Sequence, residues 1–365
     1  MSTQQDRVIA AMSGGVDSSV TAALLQEQGH DVVGLFMRNG VTHKDADTRH
    51  QGCCSVEDSM DARRAASELD IPFYAINFKE DFGELIDHFV DEYNKGRTPN
   101  PCVRCNRTLK FGELMEYADE IGASKVATGH YVRLDQKNGR YRLRRGKDDY
   151  KDQSYVLFNL TQEQLSRSLF PLGELEKERV REIADDMDLG VADKPDSTEI
   201  CFVPGQDYSE VLEDKTPEEL EEGPIYNTDG EQLGTHPGHQ HFTIGQRRGL
   251  GIAVGEPRYV VEIDPDENAV IVGPRDETFD DTCVAKELNW VSIPEPEPDE
   301  PIEADVQIRY NSDAEPAICR RTGADELHIE FRDPQHAISP GQAAVIYQGD
   351  TVLGGGWVDR IRNDH

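Results

Sequence analysis

Over roughly the first 200 residues, short apolar runs alternate with longer stretches whose apolar positions recur every three or four residues. The runs 8–12, 31–37, 73–78 and 125–128 have strand length, whereas 20–28, 56–69, 82–94 and 111–121 carry the helical period. Such an alternation predicts an α/β unit with a parallel sheet. Ligands of these sheets gather at the carboxyl ends of the strands. The glycine-rich turn after the first run and Thr128-Gly129-His130 after the fourth are therefore expected to line one crevice. Met37, closing the second run, would lie beside a bound base or, equally, be a buried methionine. His130 reads as a satisfied strand-end histidine and stays outside the expected site.

A helical stretch over 162–187, with turns at Pro171 and Gly190, precedes a polar loop at 194–206, and from about Gly223 the texture changes. Short alternating runs at 259–263, 269–272, 306–309, 327–331 and 343–347, broken by Gly and Pro, predict β-rich structure in two small units. The expected division is 1–208, 209–276 and 277–365, with the change between the β-rich units near 274–281. The stiff acidic stretch 294–301 reads as a hairpin extension rather than a boundary.

The turn after the first run, Ser13-Gly14-Gly15-Val16-Asp17-Ser18-Ser19, has the chemistry of a phosphate cradle. Two glycines allow close backbone approach, hydroxyls add donors, and a following helix N-terminus offers unpaired N–H groups and a positive dipole end. A Walker-type loop is excluded because no Lys precedes the terminal Ser, and the string is not GxGxxG. A tight connection is the bland alternative; the apolar run on each side favours a nucleotide.

The length of 365 residues implies several cores. There is no 18-residue apolar run and no signal-peptide pattern, so a cytoplasmic chain with no membrane partner is expected. Its 71 acidic residues against 38 basic ones, 12 Lys and 26 Arg, give a formal charge of -33. Carboxylates spread along a lysine-poor chain suggest adaptation to high salt, as in a halophile. Such a charge opposes nucleic-acid binding except at local islands: Arg140, Arg142, Arg144, Arg145 and Lys147; Arg97, Arg104, Arg107 and Lys110; and Arg247-Arg248. Each island alone is more often a solvated surface.

Seven cysteines in an intracellular chain are expected to be mostly thiols. Cys102 and Cys105 lie in a segment, 96–106, that reads as rigid and polar and leads into a helix at about Lys110, which suits exposed thiols of lowered pKa. Cys201 sits in a second loop, Asp196-Ser197-Thr198-Glu199-Ile200-Cys201-Phe202. Sulfur or redox chemistry ranks first, an iron-sulfur cluster on Cys102, Cys105 and Cys201 second, and structural zinc last, because no second CxxC follows. Cys53-Cys54 read as incidental, and Cys283 and Cys319 as small core residues.

Taken in order, SGGVDSS, GLFM at 34–37, GRTPNPCVRCN at 96–106, ATGHY at 127–131, KDQSY at 151–155, DSTEICF at 196–202, TIGQRRGLG at 243–251, Arg309-Tyr310, SPGQAAV at 339–345 and LGGG at 353–356 resemble one family over nearly the whole chain. That family is the tRNA-specific 2-thiouridylases. The resemblance implies a PP-loop ATP pyrophosphatase domain, a central tRNA-binding domain and a C-terminal β-barrel. It also implies ATP-dependent replacement of the C2 oxygen of a wobble uridine by sulfur. On the family pattern, Ala11, Met12, Ser13, Gly14, Gly15, Val16, Asp17, Ser18, Met37 and Gly129 bind ATP with Mg²⁺. Cys201 carries a persulfide from an upstream donor protein that attacks C2 or releases sulfide that does, and Cys105 cleaves it, closing a transient disulfide.

Asn100, Pro101 and Cys102 match the segment around the target base, and Lys151, Asp152, Gln153, Arg309 and Tyr310 match tRNA contacts. Position 102 departs from the pattern, which has an aspartate acting on a proton there; a thiol titrates much higher. A monomer or weak dimer is expected. The competing readings are a related sulfurtransferase acting on another tRNA position, and a non-catalytic tRNA- or nucleotide-binding protein with a metal-bound cysteine loop.

Overall fold

The computed structural model describes residues 6–40, 56–196, 200–203, 207–298 and 300–359. The expectation for Cys53-Cys54 falls outside them. The first unit contains β1 (Arg7–Ala11), α1 (Val16–Glu27), β2 (Asp31–Arg38), α2 (Val56–Glu68), β3 (Phe73–Asn77) and α3 (Lys79–Asn94). It continues through α4 (Pro101–Cys105), a π-helical stretch (Asn106–Glu113), α5 (Leu114–Glu120) and β4 (Lys125–Ala127). Then come β5 (Val132–Lys137), β6 (Arg140–Arg145), α6 (Gln162–Ser166), β7 (Ser168–Leu169) and α7 (Lys177–Asp186).

Strands β3-β2-β1-β4-β7 form a five-stranded sheet whose pairings are all parallel. Alternation along β1 sends Ile9 into one apolar cluster with Phe89, Val103 and Leu114, and Val8 and Ala10 into another with Val20, Ala62 and Val180. Both faces are thus covered, as a parallel sheet requires. The helical stretch expected over 162–187, with its turn at Pro171, forms as two helices, α6 and α7. Pro171 and Gly173 interrupt it, and Ser168–Leu169 pairs with β4 as the sheet edge.

After α8 (Ser209–Lys215), strands β8 (Gly223–Asn227), β9 (Gln232–His236), β10 (Tyr259–Asp264) and β11 (Ala269–Gly273) make a four-stranded sheet in the order β10-β11-β8-β9. Its core holds Ile225, Phe242, Val260 and Val272. The last unit has β12 (Phe279–Trp290), β13 (Ile302–Gln307), β14 (Glu315–Gly323), β15 (Glu326–His336), β16 (Ala343–Gln348) and β17 (Thr351–Asp359). The order β12-β15-β14-β13-β16-β17 closes through a β12–β17 pairing into a six-stranded barrel. The acidic stretch 294–301 is not a hairpin extension, because β12 and β13 are not neighbours and the stretch crosses between them. Cys283 and Cys319 are core residues, each paired with Ile329 across the sheet, and burial pushes the Cys319 thiol up to about 12.

The barrel is joined to the first unit. Thr351 of β17 pairs with Arg144 of β6, Thr98 N–H donates to Pro340 C=O (2.7 Å), and Gln342 Nε2 donates to Thr98 C=O (2.9 Å). Ala343, Val345 and Tyr347 of β16 complete the same apolar cluster as Phe158 and Leu143. Among the described residues no helix is long and apolar enough to cross a membrane.

Candidate active site

The loop after β1 folds around Ser18. Its hydroxyl donates to Gly15 C=O (3.1 Å) and accepts from Ser13 N–H (3.0 Å), and the first α1 bond runs from Ser19 N–H to Gly15 C=O. The helix therefore starts at Val16, four positions before the apolar period suggests, because these serines fold the loop into its first turn. The amides ahead of Ser19 have no partner within the helix and form a donor-rich end. Met12 and Val16 are buried in the core, so only their backbone faces the crevice. Gly14 has φ +77°, and a Cβ there would lie 2.1 Å from Asp58 C=O. Gly129, after β4, approaches so closely that its Cβ would lie 3.0 Å from Ser18 N. Adjacent strands thus bring Gly129 onto the start of α1, while Met37 sits half-buried near the end of β2 beside them.

A network of charges braces this crevice, and the periodicity of the chain gave no sign of it. Lys177 Nζ donates to both Asp17 oxygens (2.7 and 2.8 Å) and to Asp196 (2.8 Å). Tyr131 O–H donates to Asp17 (2.7 Å); burial first, and then the Asp17 charge, drives its phenol far up. Asp196 also accepts from Lys151 (2.8 Å) and Arg181 (3.1 Å). Burial would raise the Asp196 carboxyl, but the bonds from Lys151 and Lys177 hold it below its ordinary range. Lys194 Nζ donates to Gly14 C=O (3.0 Å), Asp58 (2.8 Å) and Asp61 (2.8 Å), tying the loop to α2. Burial opposes charge on Lys194, yet the two aspartates raise its pKa. The one local signal for these groups is Lys194-Pro195-Asp196, directly ahead of the Cys201 loop.

The segment leading to Cys105 is helical from Pro101, not from Lys110. Asn100 caps it, its side chain accepting from Val103 N–H (3.4 Å), and Pro101 occupies the first turn. One turn of helix then separates the two thiols: Cys102 is exposed, whereas Cys105 is 9% exposed and faces the core, contrary to the expectation of two exposed thiols. A π-helical stretch follows, a form that is rare and frequent at functional sites. Cys201 is half-buried and packs against the cluster that contains Cys105, next to Phe202, whose ring meets Phe89 edge-on at 5.2 Å. Residues 194–203 thus reach, through their described parts, from the Gly14 loop to the Cys105 cluster.

Among the described residues no three His, Cys, Asp or Glu side chains converge on a metal-sized site. In the Gly14 loop, the carboxylate available to a phosphate-bound Mg²⁺ is Asp17, already held by Lys177.

The residues matched to tRNA contacts divide. Asp152 is turned inward: it accepts from Gly146 N–H, Ser154 N–H, Ser154 O–H and Arg145. Gln153 Oε1 accepts from Tyr131 N–H (3.1 Å). Arg309 donates to His336 C=O (3.0 Å), leaving Tyr310 42% exposed with its ring 6.0 Å from Tyr155. Burial first, then the charges of Asp152 and Cys102, raise the Tyr310 phenol, so these three groups share a neighbourhood. The basic island at 140–147 lies largely on β6 and is mostly neutralised: Arg142 and Arg144 pair with Asp135, Arg144 with Asp350, and Arg145 with Asp152. His130 is buried, shares a 2.7 Å hydrogen bond with Thr128 Oγ1, and is kept neutral by burial.

Comparison with known proteins is consistent along the whole chain. Family profiles described as tRNA methyl transferase HUP domain, tRNA methyl transferase PRC-barrel domain and aminomethyltransferase beta-barrel domain match residues 6–205, 209–274 and 280–358. The chain is 48% identical to a tRNA-specific 2-thiouridylase of Natranaerobius thermophilus, over 97% of each chain. It is 49% identical to one of Carboxydothermus hydrogenoformans, over 97% of this chain and 98% of the other. With a parallel-sheet HUP domain, a PRC-barrel domain and a closed barrel all in place, the chain belongs to the tRNA-specific 2-thiouridylase family.

Proposed function

We propose that the protein is an ATP-dependent tRNA-uridine 2-sulfurtransferase acting on the wobble uridine. The observation that carries this reading is the Lys177 bridge. It fastens Asp17 of the phosphate cradle to Asp196 of the loop that ends at Cys201, coupling an oxygen-activating site to a sulfur-delivering one. ATP would lie on the loop from Ala11 to Ser18, between Met37 and Gly129, with its phosphates on the amides that begin α1. Mg²⁺, when bound, would offset phosphate charge, with Asp17 the loop's carboxylate nearest to it.

The uridine O2 attacks the α-phosphorus and pyrophosphate leaves, which makes O2 a good leaving group. The terminal sulfur of a Cys201 persulfide attacks C2, and AMP departs with O2 and its electron pair. Cys105 thiolate then attacks Cys201 Sγ. The S–S bond breaks, its electrons stay with the sulfur on C2, and a Cys105–Cys201 disulfide remains for a thiol reductant to reset. Packing of both cysteines against one apolar cluster supports this exchange. A buried Cys105 is protected from solvent oxidants. Asn100, Pro101 and Cys102 at the start of α4, with Tyr310 nearby, would surround the base once it leaves its stack. We assign catalysis to residues 1–208 and RNA support to 209–276 and 277–365.

The test is exact-mass analysis of tRNA nucleosides from cells whose only copy carries Cys105→Ala or Cys201→Ala. Wobble 2-thiouridine should vanish in both; its persistence in both overturns the mechanism. Exchange of oxygen for sulfur and gain of a methyl group differ in exact mass, and thiolation at another uridine would expose the related sulfurtransferase reading.

A further inference from the structure

An RNA-binding protein of formal charge -33 must find affinity elsewhere than in a broad basic face. Around the candidate site most cations are already taken. Arg97 pairs with Glu92 and Asp359, Arg133 and Arg144 with Asp350, Arg142 with Asp135, Arg145 with Asp152, and Lys151 and Lys177 with Asp196. Phosphate contacts from these groups would first have to break internal pairs.

Against that background one side chain stands out. Tyr150 is 98% exposed, and it immediately precedes Lys151, Asp152 and Gln153. An isolated surface aromatic ordinarily needs no explanation. This one is held by a turn whose backbone is anchored on both sides. Asp148 accepts from Tyr150 N–H (3.1 Å) and from Lys177 N–H (2.9 Å) with its side chain, and from Lys151 N–H (3.1 Å) with its carbonyl. Lys147 N–H donates to Gly173 C=O (2.9 Å), and Asp152 is locked by Gly146 and Ser154. The turn is thereby bonded to the first residue of α7, whose side chain holds Asp17. A rigid backbone presents the ring outward at the rim of the nucleotide crevice.

We propose that Tyr150 is a stacking platform for an unpaired base of the tRNA substrate, a base other than the one that is modified. The proposal rests on the thiolation reading above. Extracting one nucleotide from a loop strips its neighbours of a stacking partner, and an aromatic face restores one. Stacking is indifferent to base identity and needs no counterion release, so it serves an acidic chain in salt where phosphate contacts would weaken.

The test measures binding of an unmodified tRNA transcript with a wobble uridine by fluorescence anisotropy, across a salt series, for the full-length protein and the variants Tyr150→Ala and Tyr150→Phe. Tyr150→Ala should weaken binding about 5- to 150-fold, and Tyr150→Phe should stay within about twofold of the unaltered protein. The slope of log Kd against log salt should be the same for all three, and ATP affinity should not change. Equal binding by the Ala variant, or a Phe variant as weak as Ala, overturns the proposal. Full RNA affinity with loss of thiolation in the Ala variant also overturns it, and marks Tyr150 as a docking point for the sulfur-donor protein instead. If the unaltered protein fails to bind the transcript, the thiolation reading itself falls.

Discussion

Replacing Lys177 by methionine would keep most of the side-chain volume and delete the charge that joins the two halves of the candidate site. The ammonium is about 10% exposed and sits 2.7–2.8 Å from Asp17 and Asp196, themselves 33% and 26% exposed. At an effective dielectric of about 20, each of these contacts is worth about 6 kcal/mol of Coulomb attraction. Partial desolvation of the three charges and repulsion between the two carboxylates offset most of that, and removing the ammonium should cost about 3 kcal/mol. The loss is of the size seen when one partner of a buried pair is removed, because two carboxylates then face each other with less compensation. Both tryptophans, Trp290 and Trp357, lie in the barrel, so urea unfolding should be followed by far-UV circular dichroism. A cycle with Asp196→Asn should show coupling, the double variant losing clearly less than the two single losses combined. ATP affinity by calorimetry should fall with Lys177→Met, since Asp17 at the head of α1 loses its anchor. A Lys177→Met stability change below about 0.5 kcal/mol, or strict additivity in the cycle, would refute the reasoning.

Other outcomes follow from the same geometry. Gly129→Ala has no left-handed backbone to strain, yet its methyl would sit 2.9–3.0 Å from Asp17 and from the Ser18 backbone, which would have to shift, so ATP binding by calorimetry should be lost and the thermal midpoint should fall. Gly14→Ala adds a left-handed φ of +77° and a collision with Asp58 C=O, so it should lower both stability and ATP binding. His236, lowered to about 4 by burial and then by the charge of His239, and His130, lowered by burial, are both held neutral in the fold. The unfolded chain binds the extra protons between the ordinary value of 6.5 and the folded one. The His236 contribution is therefore full above pH 6.5 and lost as pH falls toward about 4, on the order of 3 kcal/mol, and His130 acts in the same direction. Thermal midpoints between pH 7 and pH 5 should drop, and His236→Asn should flatten the slope.

Much of the crevice was legible because its signals are local. Ser13 to Ser19 adjoin a strand and a helix, and Gly129 follows another strand of the same sheet. The start of α4 was equally local in Asn100 and Pro101, but two prolines around an asparagine also read as a stiff extended segment, and the cap was missed. Lys177 and Lys194 were illegible for a different reason: their partners Asp17 and Gly14 lie 160 and 180 residues away, and the one local hint is Lys194-Pro195-Asp196. Phe89 and Phe202, which share the apolar cluster that buries Cys105, both lie outside its motif. The arginines of β6 read as a basic patch because their acidic partners Asp135 and Asp350 come from a neighbouring strand and a distant turn.

The seam between barrel and first unit makes the surroundings of one thiol a shared property of both. Ala343, Val345, Tyr347 and Val352 belong to the apolar cluster in which Cys105 is buried, and Thr351 of β17 pairs with Arg144 of β6. Met12 and Val16 of the nucleotide loop pack in a different cluster, so loosening the barrel would expose Cys105 before it disturbed that loop.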